Sequence, residues 1–197
     1  MSAGAGTVLL IACGALAREA RAVLAANRLE HVELACLPAS LHNRPERIPA
    51  AVRRRIAAAR GRYTRILVLY GDCGTGGLLD RVLEEEGVER IGGPHCYAFY
   101  AGEEAFAGMA EAEPGTFWLT DFLARQFETL VIRGLGIDRH PELLPLYFGN
   151  YRRVVYLSQT EDPALLAKAR AAAGRLGLAF EHRPTGLGGL ASFLRAA

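Results

Sequence analysis

The stretch Arg65-Ile66-Leu67-Val68-Leu69-Tyr70-Gly71-Asp72-Cys73-Gly74-Thr75-Gly76-Gly77 sets the fold class. Its first six residues run apolar after Arg65 without alternating, as a strand buried on both faces does. A glycine-rich turn follows, and Leu78 to Glu86 then places apolar residues at helical spacing. Strand, tight turn and helix in that order open a βαβ unit. The same grammar extends upstream. Thr7 to Cys13 is a second continuous apolar run, Ala15 to Asn27 reads as a helix, and Val32 to Leu37 as a strand. Pro45 to Arg60 is an Arg- and Ala-rich helix that stops before Gly61. Downstream, Val88–Ile91, Thr116–Leu119, Val154–Leu157 and Leu178–Glu181 read as short strands. Helical patterns occupy Gly102–Ala110, Asp121–Arg133 with Thr120 as cap, Pro141–Tyr147, Pro163–Leu176 and the chain past Gly189. Pro94 to Phe99 carries no clear signal.

Alternating strands and helices pair in parallel, with helices on the sheet faces. The expectation is one α/β domain over residues 1–197, three-layered, with a mostly parallel sheet of about five to seven strands and helices on both faces, Rossmann-like or flavodoxin-like. A chain of 197 residues, 51% hydrophobic, affords a core without disulfide or metal staples. The net charge of +2, with acids and bases interspersed, gives no reason to expect nucleic acid or an anionic membrane as partner. Lys168 is the only lysine and falls on the solvent side of its helical pattern, so Schiff-base chemistry is discounted. The start lacks a basic leader region and no run approaches a membrane span, which makes the cytoplasm the expected compartment. In that reducing setting Cys13, Cys36, Cys73 and Cys96 are thiols.

Ligands of open α/β sheets bind beyond the carboxyl ends of the strands. Those positions read Cys13-Gly14, Leu41-His42-Asn43, Gly71-Asp72-Cys73-Gly74, Gly92-Gly93-Pro94-His95-Cys96 and Thr120-Asp121. Three thiols and a histidine are a soft-metal donor set. Cys13, Cys73, Cys96 and His42 are the expected ligands, with zinc favoured. In an extended segment His95 and Cys96 point to opposite faces, so His95 is assigned to support of the metal site or to acid/base work, although a turn would let both bind. His42 is read as a ligand, as the base that moves the proton, or as a solvated loop residue. A four-iron, four-sulfur cluster held by the three cysteines, with one iron open to substrate, competes with zinc. The ordinary alternative is that these cysteines pack as small hydrophobes.

Cys36, inside a strand, is expected in the core. Gly71, Gly74 and Gly76 make a turn that resembles a phosphate cradle, although it matches neither the P-loop nor G-x-G-x-x-G. The helix that follows is expected to lower the pKa of Cys73, which also admits a metal-free thiol enzyme with Cys73 as nucleophile. Asp72 is read either as acid/base or as a cap for that helix. His31, His140 and His182 read as surface residues.

Ala12-Cys13-Gly14 with Glu19, Leu41-His42-Asn43 with Pro45, Tyr70-Gly71-Asp72-Cys73-Gly74, His95-Cys96-Tyr97, Pro114-Gly115-Thr116-Phe117 with Leu119-Thr120-Asp121-Phe122, and Asn150-Tyr151 together resemble the domain-of-unknown-function family 1638, from about Val8 to Leu157. The resemblance implies a prokaryotic protein near corrinoid-dependent methyl-transfer systems, and hence one-carbon metabolism. It supplies no site residues. The functional expectation is a metal-dependent transferase or lyase acting on a small-molecule substrate, with a corrinoid or a methyltransferase protein as partner. The alternatives are the iron–sulfur enzyme and a non-catalytic carrier of metal or corrinoid. The oligomeric state is left open by the sequence.

Overall fold

The computed structural model describes residues 7–196. Met1 to Gly6, on which the leader reading bears, and Ala197 lie outside the described residues. The chain divides into two compact units, Met1–Phe99 with Gly189–Ala197, and Tyr100–Gly188. Each holds its own parallel sheet, so the strands do not form the single sheet of the sequence reading. The fold class is the expected one, α/β with parallel sheets and helices packed on them.

In the first unit the strands are β1 (Val8–Cys13), β2 (Val32–Leu37), β3 (Arg65–Leu69) and β4 (Glu89–Arg90), in spatial order β2-β1-β3-β4. All pairs are parallel. β1 lies inside the sheet and buries all six residues, which is why it reads as an unbroken apolar run. The connecting helices are α1 (Ala17–Ala26), α2 (Ile48–Ala59) and α3 (Leu78–Glu86). α2 buries Ile48, Val52, Ile56 and Ala59, one stripe at i, i+4, i+8 and i+11. Fully burying an aliphatic side chain of that kind contributes about 1.5–3 kcal/mol. β1 leads to β2 on one side, whereas β2 to β3 and β3 to β4 move the other way. Right-handed crossovers then put α1 on one face and α2 with α3 on the opposite face. This makes the first unit three-layered. It also makes the β1–β3 boundary the point where successive connections part company. The segment without a sequence signal forms α4 (Cys96–Ala101), and α9 (Gly188–Arg195) buries Leu190 and Leu194.

The second unit is built on β5 (Thr116–Leu119), β6 (Arg153–Ser158) and β7 (Ala179–Pro184), in the order β5-β6-β7. Its helices are α5 (Glu103–Ala112), α6 (Asp121–Phe127), α7 (Leu143–Phe148) and α8 (Pro163–Leu176). Both crossovers advance in the same direction, so α6 and α8 share a face. Leu119, Phe127, Val154, Tyr156, Leu165 and Ala169 are among the core residues between them. The helix expected over residues 121–133 keeps its start but turns π-helical at Glu128–Arg133. Ala15–Asn27 and Pro45–Arg60 each open with a 3-10 turn before the α-helix settles. No helix among the described residues is long and apolar enough to cross a membrane.

Cys36 departs from its expected place. β2 is an edge strand, and Cys36 is exposed. An edge strand is covered less than a central one, and that position is not written in its local pattern.

Candidate functional site

At the parting point, Cys13 ends β1, and Tyr70 follows β3 immediately beside it, since Ala12 pairs with Leu69. Connections that leave adjacent strands in opposite directions open a crevice at their carboxyl ends. Two glycines draw further loops to its rim. A Cβ on Gly14 would stand 2.9 Å from the Leu37 carbonyl oxygen and 3.3 Å from Ala39 N. The β1 loop therefore lies against the loop after β2, which carries His42. A Cβ on Gly71 would stand 3.0 Å from both His95 N and the Pro94 oxygen. The β3 loop accordingly lies against the loop after β4. Backbone bonds seal that contact, with Cys73 N donating to the Pro94 oxygen at 2.8 Å and Asp72 N to the Gly93 oxygen at 3.3 Å. Arg90 braces the same loop. It forks onto Asp80 at 2.5 and 2.9 Å and donates to the carbonyls of Ile91 and Gly93 at 2.8 and 3.2 Å. Cys73 takes φ +51°, a left-handed conformation uncommon outside glycine. We expect Gly71→Ala to part these loops and to lower stability by about 1–3 kcal/mol, read by urea unfolding. An unchanged midpoint would mean the loops yield without cost.

The structure thus gathers Cys13, His42, Tyr70, Cys73, His95 and Cys96. The Cys13 Sγ is 3.6 Å from His42 Nδ1, which also lies 3.3 Å from the Ala39 oxygen. Ala15 N donates to Cys13 Sγ at 3.4 Å. The His42 ring lies nearly parallel to that of Tyr70, with centroids 6.5 Å apart. Tyr70 is wholly buried, and its hydroxyl lies by the Cys13 thiol, each acting on the other's ionisation.

Burial pushes the Cys13 thiol up to about 12, and the nearby Cys73 adds to it against the Ala15 amide. Burial likewise pushes Cys73 up to about 11, opposed by backbone hydrogen bonds that include one from Cys96. Cys96 is driven well above the usual thiol value, first by burial and then by Cys73, Cys13 and the buried Glu19. Burial lowers His42, and His95 adds to that. Burial also lowers His95, against the charge of Asp72. Both imidazoles keep exposed edges, and both are uncharged at neutral pH. The site therefore holds protonated thiols beside neutral imidazoles. As they stand, no three His, Cys, Asp or Glu side chains among the described residues are arranged as a ligand set for one metal ion.

Two expectations for the glycine turn change. Cys73 is not acidified, because it precedes the first residue of α3, Leu78, by five positions, beyond reach of the helix's first turn. Asp72 occupies the inside of the turn instead. It accepts from Thr75 Oγ1 at 2.6 Å, Gly77 N at 2.8 Å and Gly76 N at 3.2 Å. Burial raises its carboxyl, but these bonds together outweigh that and hold it below the usual value. The amides of Gly76 and Gly77, which a phosphate would seek, already bind this carboxylate. Gly74 stands at φ +84° beside Pro45, and Gly76 at φ +62°. Cys96 begins α4, so the His95–Cys96 step is a helix start and not an extended pair.

The second unit contains a polar cluster around Asp121, which the sequence places at a strand end without giving it a role. Asp121 is completely buried. It accepts from the Tyr156 hydroxyl at 2.6 Å, Thr160 Oγ1 at 2.5 Å and Gln159 N at 3.0 Å, with Arg125 at 3.5 Å. Its own amide donates to Gln159 Oε1 at 2.8 Å. His182 is exposed, as expected, yet its ring stacks on Tyr156 at 5.3 Å and its Nε2 lies 2.9 Å from Ser158 Oγ. Only the parallel register, which sets Tyr156 opposite His182, could have paired them in advance.

No curated protein matches the chain. A family described as "Protein of unknown function (DUF1638)" matches residues 36–194. The match includes His42, Cys73, His95 and Cys96 and starts after Cys13. It reaches further toward the C-terminus than the resemblance quoted from the motifs. Spanning well over half of the sequence and both structural units, it makes this chain a member of the DUF1638 family.

Proposed function

We propose that the crevice of the first unit is a soft-metal site that takes zinc through some of Cys13, Cys73, Cys96 and His42, with one coordination position left open to substrate. The chain would then serve as a cytoplasmic metal-dependent enzyme of the transferase or lyase type. The observation that carries this reading is the gathering of three thiols and two uncharged imidazoles where α/β sheets bind ligands. Protonated, the thiols oppose one another's ionisation. A cation reverses the sign of that arrangement, and thiolate with neutral imidazole is what zinc prefers. Loading requires the side chains to draw closer than they stand.

When bound, zinc supplies Lewis acidity and holds a thiolate ready at neutral pH. The residues of this chain do the rest. Gly14 and Gly71 permit the loop contacts, Tyr70 and the buried Glu19 line the inner wall, and His95, exposed beside Asp72, moves the proton to or from a small-molecule substrate. The methyl-transfer setting suits such a thiolate, with a corrinoid or a methyltransferase protein as partner.

Protein purified without oxygen tests this by elemental analysis. The expected result is colourless protein with one zinc per chain, and metal occupancy lowered more than about tenfold by Cys73→Ser or Cys96→Ser. Cys36→Ser, at the exposed sheet edge, leaves it unchanged. Brown protein absorbing near about 400 nm transfers the site to the iron–sulfur reading. Tight zinc with no open coordination position transfers it to a carrier role. Protein that stays metal-free after reconstitution ends all three.

A further inference from the structure

The second unit has its own concavity, a cavity of about 320 Å³ at the carboxyl ends of β6 and β7 beside the start of α8. Its volume lies at the small end of ligand pockets. Tyr156 and Ser158 line its inner side, both almost fully buried. The tyrosine hydroxyl is committed to Asp121, so it presents ring carbon rather than oxygen to the space. Pro163, Leu166 and Pro184 add apolar surface. Ser158 Oγ is paired with His182 Nε2 at 2.9 Å, and the imidazole is fixed by its stack on Tyr156. A hydroxyl in such a pair retains an acceptor lone pair for an incoming N–H.

The carboxylates and ammonium or guanidinium groups that line this space are of one sign. Glu161 and Asp162 line it, and no arginine or lysine does among the described residues. The start of α8 would ordinarily attract an anion. Here Asp162 Oδ1 already accepts from Ala164 N at 2.9 Å and Leu165 N at 3.2 Å. An incoming anion would find its place taken and face a second carboxylate. Nucleophilic chemistry by Ser158 is not supported either, because no acidic side chain is hydrogen-bonded to His182 among the described residues.

We infer that this cavity binds a small molecule with a protonated amine on a compact apolar body. The apolar part sits against Leu166 and the Tyr156 ring, and the amine points to Ser158 and the two carboxylates. This site lies wholly in the second unit and does not depend on the metal reading of the first.

Three probes of one shape separate charge from size, namely benzylamine, benzyl alcohol and benzoate, titrated into the full chain with the His182 ring signals followed by NMR. Benzylamine is expected to saturate these shifts in the low millimolar range, and benzyl alcohol and benzoate to bind at least about tenfold more weakly. Ser158→Ala weakens benzylamine by about fivefold to tenfold. Leu166→Trp fills the cavity and abolishes binding. Should that variant not fold, Glu161→Lys at an exposed position serves in its place, with an expected loss of about tenfold for benzylamine. Benzoate binding as well as benzylamine would overturn the proposal. So would no saturation by benzylamine up to tens of millimolar, or undiminished binding in a folded Leu166→Trp or Glu161→Lys protein.

Discussion

Asp121→Ala is expected to cost the second unit about 3–5 kcal/mol and to lower its thermal midpoint by at least about 12 °C. The cost does not come from a single lost bond. Asp121 is fully buried and ties the end of β6 to the start of α6, accepting from Tyr156, Gln159 and Thr160. Truncation leaves the Tyr156 hydroxyl and the Gln159 amide buried without their acceptor, and such groups cost more unpaired than the pair contributed when made. Asp121→Asn keeps one oxygen toward these donors and turns an amide toward Thr160 and Arg125, so its expected cost is smaller, about 1–2 kcal/mol. Tyr156→Phe removes one donor and leaves the carboxylate its others, again about 1–2 kcal/mol. Urea unfolding of the three variants orders them. If Asp121→Ala proved no worse than Tyr156→Phe, the carboxylate would not be the anchor.

A segment is legible in the sequence where its pattern is fixed by its own burial and caps. β1 and β3 run continuously apolar because each is flanked on both sides and covered on both faces. α8 was bounded correctly, with Asp162 bonded to its first amides and Gly177 closing it in the left-handed conformation. Position in the sheet is not written in a strand's own residues. Nothing within Val32 to Leu37 says that β2 is an edge, so Cys36 was assigned inward. Nothing within Val154 to Leu157 says which strands lie beside it, so one sheet was expected where there are two.

The strand-end rule drew attention to Cys13, Cys73 and His42. The contact between Cys13 and His42, however, depends on Gly14 lying against Leu37 and Ala39, a packing event between loops. The same holds for Asp121 and its acceptors and donors, almost forty residues away in sequence. Asp72 is legible within its own motif, where a cap for the following helix is one of its two readings and its carboxylate does hold the amides just ahead of α3. A glycine-rich turn before a helix suggested a phosphate, and the residue that fills it was inside the quoted motif.

The apparent affinity for zinc is expected to climb steeply with pH, and the slope counts the thiols that bind. A thiol must lose its proton to become a ligand, so each one contributes a factor of about ten per pH unit while pH stays below its pKa. Cys13 stands near 12, Cys73 near 11, and Cys96 well above the usual thiol value. All three therefore hold their protons between pH 6 and 8. His42 is lowered, already neutral near pH 7, and contributes almost nothing to the slope there. Three bound thiols predict about a thousandfold gain per pH unit, and two predict about a hundredfold. Competition against a chelator, corrected for the chelator's own protons, measures it. Cys73→Ser should remove one factor of ten per pH unit from the slope as well as weakening binding at any single pH. A structural defect in that variant would weaken binding without changing how many protons leave. A flat profile would mean that zinc, if held at all, is held without these sulfurs.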